Sequence, residues 1–174
     1  MLKGKKIVLG MIVFVLLLTG CTNNIEDGVL LLEEAKYEEA IEVFDKDIER
    51  GKKLDEAYRG VGLAYFELEE YDKAVDALKK ALKNGAEETA TICGVLGACY
   101  MKQEQYDDAL NVYKKALKKE DITDKLKQEI EYNLIAVYEY TYDWEAAKKQ
   151  AEKYVEKYPD DARIDKEAEF LETR

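Results

Sequence analysis

The feature that most constrains the fold is a pattern of small and bulky residues that returns at nearly constant spacing. An aromatic residue followed by an acid recurs at intervals of 34, 35 and 38 residues, at Tyr37, Tyr71, Tyr106 and Trp144. The position nine residues earlier is held in turn by Gly28, Gly62, Gly97 and Ile135. The position three residues later is held by Ala40, Ala74, Ala109 and Ala147. Glycine inside a helix costs about 1 kcal/mol relative to alanine, so a recurrent glycine needs a packing reason. The pattern predicts antiparallel helix pairs that approach most closely at residues such as Gly62 and Ala74.

The bulky partner of each small residue also recurs, seven residues after the aromatic, as Phe44, Leu78 and Tyr113. The last unit departs from this order, because Ile135 stands where glycine is usual and Ala151 where a large residue is usual. We interpret this as an exchange of volumes between two facing helices. In the first unit Asp27 and Asp47 occupy places of apolar or small residues, so we expect its helices to pack loosely.

A period near 34 with this distribution of small and large residues resembles the tetratricopeptide repeat, a helix–turn–helix unit. The resemblance implies an all-α fold, a right-handed α-solenoid of antiparallel helix pairs closed by a C-terminal capping helix. It divides the chain into a degenerate repeat at 21–54, repeats at 55–89, 90–127 and 128–160, and a capping helix at 161–174. Before the fourth repeat, Thr123 or Asp124 in a polar loop is expected to start a helix.

The N-terminal 20 residues read as a secretory signal. A basic start precedes an apolar run of about a dozen residues, Ile7 to Leu18, which is shorter than the roughly 20 that span a bilayer. The segment Leu18-Thr19-Gly20-Cys21 resembles the bacterial lipobox. That resemblance implies cleavage after Gly20 and a diacylglyceryl group on Cys21, with the protein anchored by lipid at the extracytoplasmic face of the cell membrane. The alternatives are an ordinary signal peptide and an uncleaved helix that ends in cysteine.

The charge of the chain argues against nucleic acid as a partner. The formal net charge is −11, and removal of residues 1–20 takes away three lysines and no acid, which makes it −14. Such a surface repels phosphate groups and anionic lipid headgroups alike. Any attachment to a membrane is therefore expected to come from the lipid on Cys21.

The residue types that usually carry catalysis are scarce. The chain contains no histidine and no serine, and it has no glycine-rich phosphate loop, so neither an enzyme nor a cofactor is expected. Cys93 and Cys99 stand six residues apart on one predicted helix, about 9 Å along its axis, which is too far for a disulfide. Without histidine or a CxxC spacing a metal site is not expected either, and both thiols are predicted to be buried.

Binding is the function that the pattern favours. In the family that the chain resembles, the first helix of each unit lines a concave groove. The matching positions here, with one neighbouring asparagine, give the candidate binding residues Arg59, Leu63, Phe66, Ala98, Met101, Tyr132, Asn133 and Tyr140. We expect Gly94 and Ala98 to leave a shallow place among the aromatic residues. Some members grip a C-terminal carboxylate with lysine and asparagine, but Leu63 and Ala98 stand here where asparagine is expected.

Two functions fit these observations. The first is a lipid-anchored adaptor that binds a protein or peptide partner, extended or helical, in the groove. The alternative is a small-molecule or glycan-binding lipoprotein that assists a transporter or a wall enzyme, suggested by the aromatic set Phe66, Tyr132 and Tyr140.

Overall fold

A computed structural model describes residues 24–173, so the predicted signal peptide and Cys21 lie outside the described residues. Residues 24–173 form nine α-helices: α1 Asn24–Glu33, α2 Tyr37–Glu49, α3 Leu54–Glu67, α4 Tyr71–Lys83, α5 Ala90–Lys102, α6 Tyr106–Ala116, α7 Asp124–Tyr140, α8 Trp144–Lys157 and α9 Ile164–Glu172. The predicted all-α class is confirmed. Across residues 24–173, every helix is too short or too polar to cross a membrane.

The helices stack as four consecutive pairs. The two helices of each pair pack together, and the second helix of one pair packs on the first helix of the next. First helices of neighbouring pairs also touch, α1 with α3, α3 with α5 and α5 with α7. The buried apolar side chains form three clusters along the stack rather than one central core. This is the nearest-neighbour architecture of an α-solenoid.

The turn inside each pair has the same geometry four times. One residue adopts a left-handed backbone with φ between 57° and 60°, at Ala35, Glu69, Glu104 and Tyr142. In the third pair the backbone N–H of Gln105 donates a hydrogen bond of 2.8 Å to the carbonyl oxygen of Tyr100, five residues earlier. The other three turns have the equivalent hydrogen bond. This is the Schellman ending of a helix, which satisfies carbonyls that would otherwise lack a partner. Each second helix therefore starts at a fixed angle to the first.

The recurrent glycines face the recurrent bulky residues, which confirms the predicted small-to-large packing. A Cβ atom placed on Gly97 would lie 2.3 Å from the ring of Tyr113, and one on Gly62 would lie 2.7 Å from the side chain of Leu78. Leu78 of α4 faces Gly62 most closely, and Ala74 of the same helix is fully buried. In the fourth pair Ile135 and Ala151 are both buried in one cluster, in agreement with the predicted exchange of volumes.

The first pair is tightly packed, so the expectation of loose packing was wrong. The ring of Phe44 lies between Gly28 of α1 and Gly60 of α3, where added Cβ atoms would come within 2.5 and 2.3 Å of it. Asp47 is buried, and its carboxylate accepts a hydrogen bond of 2.8 Å from the amide of Asn24. A buried polar residue with a partner does not force helices apart.

The fourth pair begins as the loop sequence predicts. The hydroxyl of Thr123 accepts a hydrogen bond from the backbone N–H of Leu126 at 3.2 Å, which caps the N-terminus of α7. α7 therefore extends for 17 residues and is the longest helix in residues 24–173. Its first turn lies ahead of residue 128, the position taken as the start of the fourth repeat.

The C-terminal helix caps the stack. α9 packs against α8, and its Ile164 and Leu171 are only 2 % exposed. The preceding loop is held by Arg163, which donates to Asp161, to Glu129 and to the hydroxyl of Tyr154. Arg163, followed by Tyr154, lowers the pKa of the Asp161 carboxyl through hydrogen bonds. The last apolar interface is thereby covered by a helix whose approach is fixed by charged hydrogen bonds.

Cys93 and Cys99 are both buried free thiols, as predicted. Burial raises the pKa of Cys93, and it raises the pKa of Cys99 to about 11. A thiol with a raised pKa is a poor nucleophile at neutral pH. Both residues are therefore small packing residues of α5.

Candidate binding surfaces

Five of the predicted groove residues lie along the first helices of the second and third pairs. Arg59 is exposed, and the apolar side chains beside it are half-buried, namely Leu63 and Phe66 on α3 and Ala98 and Met101 on α5. The ring of Phe66 meets that of Tyr71 edge to face at 6.2 Å. This arrangement leaves partly exposed apolar surface next to a cation on two helices that touch each other.

The shallow place expected at Gly94 is filled. A Cβ atom on Gly94 would lie 3.0 Å from Leu126 and 3.6 Å from Ile130, and Gly94 itself is buried. Because α7 starts at Asp124, its first turn reaches over α5 and places Leu126 there. The expectation of an open site at Gly94 was wrong, and the glycine serves contact between α5 and α7.

Two predicted groove residues on α7 are engaged in internal contacts. The guanidinium of Arg163 lies over the ring of Tyr132 at 4.6 Å, and the ring of Tyr154 meets it at 5.6 Å. Asn133 donates from its amide to the hydroxyl of Tyr113 at 3.3 Å. Burial raises the pKa of that Tyr113 hydroxyl, which stays protonated at any physiological pH. Tyr132 therefore supports packing at the C-terminal end of the stack, and Asn133 links α7 to α6.

The eighth predicted residue, Tyr140, lies at the end of α7 and is 56 % exposed. Its ring stacks on that of Tyr106, with centroids 4.6 Å apart and planes inclined by 4°. The three aromatic residues that suggested a single pocket thus pack against three different rings, Tyr71 for Phe66, Tyr154 for Tyr132 and Tyr106 for Tyr140.

A cleft of about 530 Å³ lies between α2, α3 and α4 and was not anticipated. Tyr58 and Tyr65 form part of its wall, and the ammonium groups of Lys80 and Lys73 lie over their rings at 5.7 and 5.0 Å. None of the predicted groove residues lines it. Lys80 also forms an ion pair of 2.7 Å with Asp76, so this wall of the cleft carries a surface ion pair beside the tyrosine rings.

A carboxyl pair lies where α9 meets α7. Oε1 of Glu139 is buried without a hydrogen-bond partner in residues 24–173, and Glu167 of α9 is its neighbour. Burial, and after it the adjacent Glu167, raises the pKa of Glu139 to about 7. Two carboxyl groups can share a hydrogen bond only while one of them is protonated. Tyr132, Asp161 and Arg163 also face this corner.

Glu139→Gln is expected to flatten the pH dependence of stability. Since the folded-state pKa lies above the unfolded value of 4.5, the protonated pair stabilises the protein fully below about pH 4.5 and this contribution is lost as the pH rises through 7. In the unaltered protein we expect the free energy of unfolding to fall by about 1 kcal/mol between pH 5 and pH 8, after allowance for solvent screening, and in Glu139→Gln we expect this fall to be absent. Thermal unfolding of both proteins across this range measures it.

The control for that change is Glu145→Gln in the first turn of α8, which removes the same charge from an exposed site. It should leave the slope of unfolding temperature against pH as it is in the unaltered chain. Equal slopes in the Glu139→Gln and unaltered proteins would contradict the assignment of the titration to Glu139.

Comparison with known proteins agrees with the geometry. A family model described as the tetratricopeptide repeat protein 21 C-terminal ARM domain matches residues 22–132, and one described as tetratricopeptide repeat matches residues 131–161. None of the curated proteins compared with the chain matches it significantly.

Solved structures resemble the whole stack. YrrB, a TPR protein with an unusual peptide-binding site, is 25 % identical, with a TM-score of 0.74 over 85 % of this chain and 74 % of YrrB. MamA is 17 % identical, with a TM-score of 0.71 over 85 % of this chain and 78 % of its own. TTC0263, a thermophilic TPR protein of Thermus thermophilus, is 20 % identical, with a TM-score of 0.59 over 87 % of this chain and 80 % of its own. The last two similarities concern the fold alone.

Proposed function

Because this chain belongs to the tetratricopeptide repeat family, we propose that it is a non-catalytic adaptor that binds a protein or peptide along its first helices. The observation that carries the proposal is the partly exposed apolar surface of Leu63, Phe66, Ala98 and Met101, which continues across α3 and α5 beside Arg59. An extended or helical peptide can place apolar side chains on such a surface and an acidic group at its edge. The likeness to YrrB, a protein with a peptide-binding site, supports this choice.

The test is selection of peptides on the full chain from a random-sequence library, followed by affinity measurements with Ala98→Glu. A carboxylate placed among apolar contacts must be desolvated by a bound peptide, so we expect affinity to fall at least about tenfold. Ala162→Glu makes the same change in an exposed loop and should not affect affinity. Failure to select any saturable peptide, or equal affinities of the two variants, would contradict groove binding.

We further propose that the adaptor is held at the extracytoplasmic face of the membrane by lipid on Cys21. The support is the sequence Leu18-Thr19-Gly20-Cys21 after a short apolar run, together with an acidic body that would not adhere to anionic lipid by itself. Cys21→Ser should move the protein from the membrane fraction to the soluble fraction and abolish labelling by radioactive palmitate. Cys93→Ser, which alters a buried thiol instead, should leave both readouts unchanged. Retention of Cys21→Ser protein in the membrane fraction would contradict the anchor.

The glycan-binding alternative rested on a shared pocket of Phe66, Tyr132 and Tyr140. Each of those rings packs against a different aromatic neighbour, so the geometry supports the adaptor further than this alternative.

A further inference from the structure

A group of four aromatic residues lies at the turns of the third and fourth pairs, and we call it the aromatic patch: Tyr106, Tyr140, Tyr142 and Trp144. Tyr106 stacks on Tyr140, and Tyr142 meets Trp144 edge to face with centroids 6.0 Å apart. The two pairs of rings adjoin. Burial raises the pKa of the Tyr106 hydroxyl most, and Glu104, Tyr140 and Tyr142 lie close enough to raise it further. Tyr140 is 56 % exposed and Tyr142 is 77 % exposed. The patch therefore presents open ring surface to solvent.

Tyr142 occupies a position that its side chain does not favour. It is the left-handed residue of its turn, with φ at 60°, where glycine or asparagine is usual. The equivalent residues in the other pairs are Ala35, Glu69 and Glu104. A bulky ring that is mostly exposed gains little from burial to offset this backbone strain. A strained residue that folding does not require is a candidate for binding.

The two turns that carry the patch are rich in acids. Residues 104–108 and 140–145 contain five acids, and no lysine or arginine. A cation above an aromatic face is attracted by the ring, and the surrounding carboxylates add to that attraction. Elsewhere in the chain tyrosine faces already hold cationic groups, Lys73 over Tyr65 and Arg163 over Tyr132. An anionic or purely apolar partner would not use these carboxylates.

We propose that the aromatic patch binds a segment of a partner protein that carries lysine or arginine side chains. This site is distinct from the surface on α3 and α5 that carries the proposed function, and the two can be tested separately. A second copy of the chain is a poor occupant, because each copy has a net charge of −11.

The chain contains a built-in reporter, since Trp144 is its single tryptophan. The full chain, purified in non-ionic detergent, is titrated with a decapeptide of alternating arginine and glycine. A decapeptide with citrulline in place of arginine has nearly the same shape without the charge. We expect a saturable change in Trp144 emission with the arginine peptide, weakened by salt, and none with the citrulline peptide.

The decisive variant is Tyr142→Asn, which keeps the net charge while removing the ring. Affinity for the arginine peptide, measured by calorimetry, should fall at least about fivefold. The midpoint of thermal unfolding should rise by about 2–4 °C, because asparagine tolerates the left-handed backbone. Ala35→Asn makes the same backbone change in the first pair, so it should raise the unfolding midpoint and leave the affinity unaltered.

Three results would overturn the proposal. They are equal affinity in the Tyr142→Asn and unaltered proteins, equal binding of the citrulline peptide, and a Trp144 signal that follows protein concentration through self-association in sedimentation. Loss of peptide binding in Tyr142→Asn with an unchanged or raised unfolding midpoint supports it, since the loss cannot then be due to misfolding.

Discussion

Phe44→Ala is expected to reduce the free energy of unfolding by about 3–5 kcal/mol. The ring of Phe44 is fully buried between Gly28 and Gly60, so its removal leaves a void bounded by three helices. Neither glycine has a side chain that could move into the space. Guanidinium unfolding followed by circular dichroism gives the energy, and amide hydrogen exchange should show the largest acceleration in α1 and α2.

The void left by Phe44→Ala should be partly filled by alanine at Gly28 and Gly60, which would restore part of the lost stability. In the unaltered chain Gly28→Ala and Gly60→Ala should each destabilise, because their methyl groups would meet the ring of Phe44. In the Phe44→Ala background the same methyl groups enter the vacated space, and helix propensity also favours alanine. The triple variant should therefore recover about 2 kcal/mol relative to Phe44→Ala. A triple variant less stable than Phe44→Ala would show that the glycines do not face this ring.

Gly97→Ala is expected to destabilise the protein by about 1–3 kcal/mol, although alanine is the better helix former. The new methyl group would lie 2.3 Å from the ring of Tyr113, which is buried and held by the hydrogen bond from Asn133. The ring can therefore yield only with the helix that carries it. Thermal and guanidinium unfolding measure the loss.

Gly94→Ala is the matched control for that substitution. It lies on the same helix and gains the same propensity, but its methyl group would meet the terminal Cδ1 of Leu126 at 3.0 Å. A leucine terminus can shift by a few tenths of an ångström, so we expect a change within about 1 kcal/mol. Equal effects at Gly94 and Gly97 would contradict the idea that Tyr113 requires a glycine opposite it.

The sequence was sufficient for the architecture, because each helix pair repeats the same volumes at the same places. Gly62 with Leu78 and Gly97 with Tyr113 are readable as partners since the spacing returns three times. The exchange at Ile135 and Ala151 is readable for the same reason. Such agreement between local pattern and overall packing is what makes repeat folds predictable.

Individual side-chain partners were less predictable. Asp47 looked like a defect in the first pair because its partner, Asn24, is 23 residues away on the other helix and belongs to no repeat pattern. Gly94 looked open because the early start of α7, which brings Leu126 over it, is set by the Thr123 cap and not by the period. Contacts between repeats depend on helix length as well as on the recurring positions.

The candidate binding residues also divide into those that the repeat positions predicted correctly and those whose contacts the positions could not predict. Leu63, Phe66, Ala98 and Met101 are half-buried on neighbouring first helices, and Arg59 is exposed beside them. Tyr132 and Asn133 could not be separated from these by position alone, because their contacts come from Arg163 and from Tyr113 of other elements. Tyr142 was missed because its strain is a property of the backbone, although the four turn residues recur at the repeat interval and could have drawn attention to it.

The hydrogen bonds of Arg163 have a consequence for the length of the array. The guanidinium of Arg163 donates hydrogen bonds to Asp161, Glu129 and the hydroxyl of Tyr154. α9 packs on α8 in the place that the first helix of another unit would occupy. A fifth unit spliced in after Lys157 would have to displace α9 and leave Arg163 without these acceptors. Extension of the array is therefore expected to fail at this terminus. It is expected to succeed between the second and third units, where both neighbours have a small and a bulky residue at the same repeat positions.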